Sequence, residues 1–200
     1  MNKADEYAKL FPMMINDWRA QWNKDIPFLF VQLPTMANKK GKLPEVRKAQ
    51  ESVLSLNGVG MATIIDLGED YNIHPINKLD VAKRLAIIAD KQVYRDVVEN
   101  NHPTIQKIVS KENMLLISFE NPIVIKGNAN EIKGFELSVN GEVFTKVSAN
   151  RIDEKTIAVS HLVIKQPIVI RYLWEDAPKR VMIFDTYNMP LPPFKRQISE

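Results

Sequence analysis

The feature that most constrains this chain is a change of period near residue 100. Before it, apolar residues recur at helical spacing and are interrupted by short buried runs. After it, they alternate with polar residues at a spacing of two. A chain that switches period once, across the linker-like "NNHPT" at 100–104, predicts two modules of different class.

The first half reads helix–strand–helix–strand–helix. "ADEYAKLFPMMINDWRAQWN" places Tyr7, Leu10, Phe11, Met14, Ile15, Trp18 and Trp22 on one helical face. Pro12 removes an amide donor there and predicts a kink or an early turn. "PFLFVQLP", 27–34, reads as a buried strand between prolines. "LPEVRKAQESVLSL" predicts a helix opened by Pro44, with Val46, Ala49 and Val53 on one face and Asn57-Gly58 at its end. "GVGMATIIDLG" predicts a second strand over 58–66. "NKLDVAKRLAIIADKQVYR" predicts a third helix with Val81, Leu85 and Ile88 inward. Such an order implies parallel strands joined by covering helices, yet two strands are too few for that kind of sheet. The expectation is therefore the C-terminal part of a larger α/β sheet over 1–98.

The second half, 104–200, predicts a small all-β sandwich. "MLLISFE", "GFELSVNGEVFTKVSA", "TIAVSHLVI" and "PIVIRYLW" are strand-like, and "VNGEV" predicts a hairpin with a two-residue turn.

Composition excludes several functions. With 27 Lys and Arg against 24 Asp and Glu, the net charge is only +3. The densest basic cluster, "NKKGK" at 38–42, is short, so a nucleic-acid partner is disfavoured. The absence of cysteine removes disulfides, cysteine nucleophiles and thiolate metal sites. No apolar run approaches the roughly 20 residues that span a bilayer, so no membrane partner is expected. "MNKADEYAKL" lacks the apolar core of a signal peptide. No cofactor or metal is expected: the three histidines are scattered, without His-Glu-x-x-His spacing, and "NGVGMA" leads into a strand rather than a phosphate-binding helix.

His74, in "DLGEDYNIHPINK", follows the carboxyl end of the second predicted strand, where open α/β sheets bind ligands. Pro75 restricts it to extended backbone and keeps it out of the next helix. It is a candidate general base, and Asp66, Glu69, Asp70 and Asn72 are candidates to orient it. The plainer alternative is that His74 caps the helix beginning near Asn77 or satisfies a loop amide. His102 and His161 lack carboxylate neighbours and read as structural. Ser52 and Ser55 lie in a helix pattern, and no serine sits in a Gly-flanked strand-to-helix turn. Trp18, Trp22, Met13, Met14, Met36 and Met61 read as core.

Taken together, "ADEYAKLFPMMINDWRAQW", "PFLFVQLP", "LPEVRKAQ", "NGVGMATIIDLGEDYNIHPINKLDVAKRLA", "KGFELSVNG", "PIVIRYLWEDAP" and "MPLPPF" resemble the sialate O-acetylesterase family of carbohydrate esterases, in family order. The resemblance implies an SGNH-type (flavodoxin-like) parallel sheet with helices, flanked by a β domain. It implies removal of acetyl groups from sugar hydroxyls by a Ser/His mechanism, with His74 as the base. The sequence departs from the family at two places. Where many members carry Asp two residues before this histidine, Asn72 stands here. The broader pattern puts Asp three before, where Tyr71 stands, and Asp70 lies four before. In the family, the segments bearing the nucleophilic serine and the oxyanion donors precede the stretch resembling Ala4–Arg19. The chain therefore reads as the C-terminal part of such an enzyme, inactive alone. Its implied partners are an acetylated sugar or glycan and the missing N-terminal half. The family implies a periplasmic or secreted location, and a cytoplasmic one follows if Met1 is the true start. A non-catalytic carbohydrate-binding or interaction module is the alternative, with Tyr172 and Trp174 spaced to share a strand face; core packing is the plainer reading of that pair.

Overall fold

A computed structural model describes residues 3–37, 39–94, 102–160 and 166–198. His161, Arg95 at the end of the third helix pattern, and part of the 100–104 linker lie outside the described residues. The chain divides into two compact units, Met1–Asn101 and His102–Glu200.

In the first unit, α1 (Lys3–Trp22) runs as one element through Pro12. β1 (Phe28–Val31) follows, then α2 (Leu43–Gln50) with Pro44 in its first turn and a 3₁₀ turn at Glu51–Val53. β2 (Val59–Ala62) pairs in parallel with β1, Phe28 opposite Val59 and Val31 opposite Ala62. α3 (Lys78–Ala89) starts at Asn77, whose side-chain oxygen accepts the Asp80 amide at 3.1 Å. Helices cover both faces of the pair. Ile15 of α1 joins Val53 and Val59 in one core, with Phe11 edge-on to Phe30 at 5.0 Å. On the other face α3 lies so close to β2 that a Cβ on Gly60 would stand 2.2 Å from Ile88 Cγ2.

The second unit holds β3 (Ile105–Lys111), β4 (Met114–Phe119), β5 (Val124–Ile125), β6 (Ile132–Ser138), β7 (Thr145–Arg151), β8 (Thr156–Ser160), β9 (Val169–Tyr172), β10 (Ile183–Phe184) and β11 (Phe194–Gln197). Seven strands form one sheet in the order β11-β9-β6-β7-β8-β4-β3, every pair antiparallel, and β5 pairs with β10 separately. Ile105 on one edge strand and Phe194 on the other belong to a single buried cluster. The sheet therefore curls around its core. Phe135, Tyr172 and Phe194 form an aromatic knot in it, with ring centroids 4.7 to 6.5 Å apart.

These pairings overturn the expected fold class. The chain is not the C-terminal part of an SGNH-type (flavodoxin-like) parallel sheet. Its only parallel sheet among the described residues has two four-residue strands, and its dominant sheet is seven-stranded and antiparallel, so the fold is β-rich. The expectation failed because it completed a sheet with strands inferred rather than present. The sandwich fits loosely, since one curled sheet replaces two facing ones.

Smaller expectations change too. The β6–β7 hairpin forms, but over residues 139–144 rather than a two-residue turn. Ser138 Oγ accepts the amides of Asn140 and Gly141, and Asn140 Oδ1 accepts those of Glu142 and Val143, which stabilises the wider loop. Trp18, Trp22, Met13 and Met14, expected in the core, are 47%, 63%, 64% and 40% exposed. Met61 is buried as expected, and so is Tyr172, while Trp174 is half-buried.

Candidate active-site loop at the strand ends

The chain leaves the carboxyl ends of β1 and β2 in two loops, 32–42 and 63–77. Each is held by a buried arginine reaching back from the helix that follows. Arg47 of α2, fully buried, donates to the carbonyls of Leu33 at 2.9 Å and Pro34 at 2.6 Å. Gln50 Oε1 accepts the Leu33 amide at 2.9 Å. Arg84 of α3 donates to the Thr63 carbonyl at 2.8 Å and forms a two-pronged pair with both Asp66 oxygens at 2.6 Å. Buried cations need this full satisfaction, because an unpaired charge away from water is costly.

The loops also hold each other. The Ala37 amide donates to the Asp70 carbonyl at 2.6 Å. Gly68 is pressed against Thr35, where a Cβ would stand 2.1 Å from Oγ1 and 2.5 Å from the Thr35 nitrogen, so only glycine fits.

His74 lies exposed on the second loop. Its amide donates to Asn72 Oδ1 at 2.9 Å, an Asx turn, and its imidazole makes no hydrogen bond among the described residues. The four expected orienting groups are arranged otherwise. Asp66 is committed to Arg84, and Glu69 Oε1 accepts the Ile76 amide at 2.9 Å. Asn72 holds the histidine's backbone rather than its ring, and the Asp70 carbonyl ties the loops together. Asn77, not His74, caps α3. On either side of His74 in the sequence, Tyr71, Ile76 and Leu79 are 80%, 79% and 65% exposed. Ser52 hydroxyl donates to the Ala8 carbonyl at 3.1 Å and Ser55 to that of Ser52, so neither serves His74. Among the described residues no cluster of three or more acidic or histidine side chains could hold a metal. No helix there is long and apolar enough to cross a membrane.

Sequence reasoning missed Arg47, Gln50 and Arg84. The signal was present: Arg47 and Gln50 stand three apart on a helix, and Arg84 is four before the buried Ile88, so both arginines fall on inward faces.

No protein-family model matches the chain, and no curated protein matches it. Among solved structures it is similar to the crystal structure of a carbohydrate acetylesterase from Xanthomonas citri. The TM-score is 0.86, at 27% sequence identity over 96% of this chain. The match covers 46% of the Xanthomonas chain, so this chain spans less than half the length of that enzyme. A carbohydrate esterase is thus the class of protein it resembles in structure.

Proposed function

We propose that this chain is the histidine-bearing part of a carbohydrate esterase that removes acetyl groups from sugar hydroxyls, with sialate O-acetyl esters as its substrates. His74 takes the proton from a serine hydroxyl as that oxygen attacks the acetyl carbonyl. It then returns the proton to the departing sugar oxygen. The serine and the oxyanion donors come from polypeptide outside this chain. Asn72 and Asp70 are positioning residues: one fixes the backbone of His74, the other joins the two strand-end loops. The observation that carries this reading is an exposed imidazole, free of hydrogen bonds, on a braced loop beyond a strand's carboxyl end, in a chain shaped like part of an acetylesterase. The exposed Tyr71, Ile76 and Leu79, neighbours of His74 in the sequence, fit a surface that becomes covered in the assembled enzyme.

The purified chain is expected not to hydrolyse O-acetylated sialic acid. Joined in one polypeptide to the remaining part of a carbohydrate acetylesterase, it is expected to gain hydrolysis, and His74→Ala should reduce that rate by about 10³-fold or more. Hydrolysis untouched by His74→Ala would sink the proposal.

A further inference from the structure

The second unit has a cavity of ≈ 410 Å³ made only of its own residues. That volume suits a one- or two-ring ligand. Its wall is shaped by two local irregularities. A β-bulge between Ile132 and Phe135 displaces Lys133 and Gly134 from regular pairing. Opposite, Leu173 adopts a left-handed backbone at φ 48°, unusual for a residue other than glycine, and its amide donates to the Gly134 carbonyl at 2.9 Å. Gly134 is itself at φ 100°, and a Cβ there would meet Leu173 Cδ2 at 2.7 Å. The wall can be built only with glycine at 134.

The lining is chemically divided. Val147, Leu173 and Pro178 supply apolar surface. Lys133, Lys146, Lys179 and Arg180 line it together with Glu136 and Glu175, and Lys133 is paired at 2.9 Å with Glu131, which lies outside the lining. Glu136 is already neutralised by Arg171 at 2.7 Å, and Lys146 meets Glu175 only at 3.6 Å, both well exposed. Arg180 enters no ion pair among the described residues. The excess of positive charge extends along the sheet: Glu136 is the one carboxylate in a cross-strand row with Lys146, Arg171 and Lys195. Positive charge focused in a concave site attracts an anion, and an apolar wall beside polar groups suits the C–H face of a sugar ring.

We propose that this cavity binds an acidic sugar, a uronate-type ring whose carboxylate meets Arg180 while its ring lies on Val147, Leu173 and Pro178. The site needs neither His74 nor any esterase activity.

Calorimetric titration of the whole chain with glucuronate, glucose and inorganic phosphate tests it, with amide chemical-shift mapping to locate the site. Saturable glucuronate binding is expected, weakened roughly tenfold between low salt and a few hundred millimolar. Glucose and phosphate should each bind at least about tenfold more weakly, since each lacks one half of the recognition. Arg180→Ala should weaken glucuronate about tenfold and leave the melting temperature unchanged. No saturable glucuronate binding, equal binding of glucose or of phosphate, or shifts away from residues 133–148 and 173–180 would each overturn the proposal.

Discussion

The two units solve burial in opposite ways. The β unit gathers an unbroken apolar cluster from nearly every strand, Ile105 to Phe194. The first unit buries a smaller apolar set, Ile15, Val53 and Val59 in one cluster with Met61, Ile64, Ile65 and Ile88 elsewhere, and it adds a buried polar layer of Gln32, Arg47, Gln50, Thr63 and Arg84. It also leaves Trp18, Trp22 and Met13 largely in solvent. One unit is held chiefly by hydrophobic packing, while the other combines apolar packing with hydrogen-bonded cations that anchor its loops. Loops anchored this way are suited to present side chains, and the unit that exposes Trp18, Trp22 and Met13 is the one suited to association.

The largest expected effect tests the β unit's dependence on its core. Phe135→Ala removes the centre of the aromatic knot and should destabilise that unit by about 3–5 kcal/mol, read by denaturant unfolding. A loss under about 1 kcal/mol would break the contrast. Asp66→Ala should cost the first unit about 3–5 kcal/mol by removing the carboxylate from the buried Arg84 guanidinium, whereas replacing both residues together with apolar ones of similar volume should recover much of it. If the single and double variants lose equal stability, the polar layer is not what holds the loops. Gly60→Ala forces a Cβ against Ile88 and should cost about 1–3 kcal/mol, measured in the same way.

The smallest effect is a pH dependence. The carboxyl of Asp80 is held below the usual aspartate range by its hydrogen bond with Asn77, then by Lys83, at the start of α3. A carboxyl lowered in the folded state binds its proton less readily there than in the unfolded chain. Its contribution is therefore present above the ordinary aspartate pKa and is lost as pH falls through the lowered value. Acid unfolding of Asp80→Asn should be slightly less steep in that window than that of the parent, and an identical acid limb would remove the effect.

Much of this was legible in the sequence. The period change, the helices and β1 and β2 follow from spacing, because apolar periodicity reports which face is buried. Pairing partners did not. Two strands bracketed by helices imply a parallel sheet locally but carry no information about its extent, and among the described residues it has two. The Asn-Gly turn was recognisable, yet Ser138 and Asn140 side chains stabilise a wider loop that the dipeptide alone does not specify. His74 stood out by its place after a strand. The buried Arg47 and Arg84 did not, because a cation on a helix is ordinarily a solvent-facing residue, and only the carbonyls and carboxylate waiting at the strand ends make burial favourable.

The Asx turn at Asn72 bears on how exchangeable that position is. The bond to the His74 amide uses a single side-chain oxygen that asparagine and aspartate place alike. Exchange between the two at 72 keeps this acceptor while switching a full negative charge on or off two residues before the histidine. The turn thus separates geometry from electrostatics. The charge of the loop can be changed by one side chain with the backbone that carries His74 left in place.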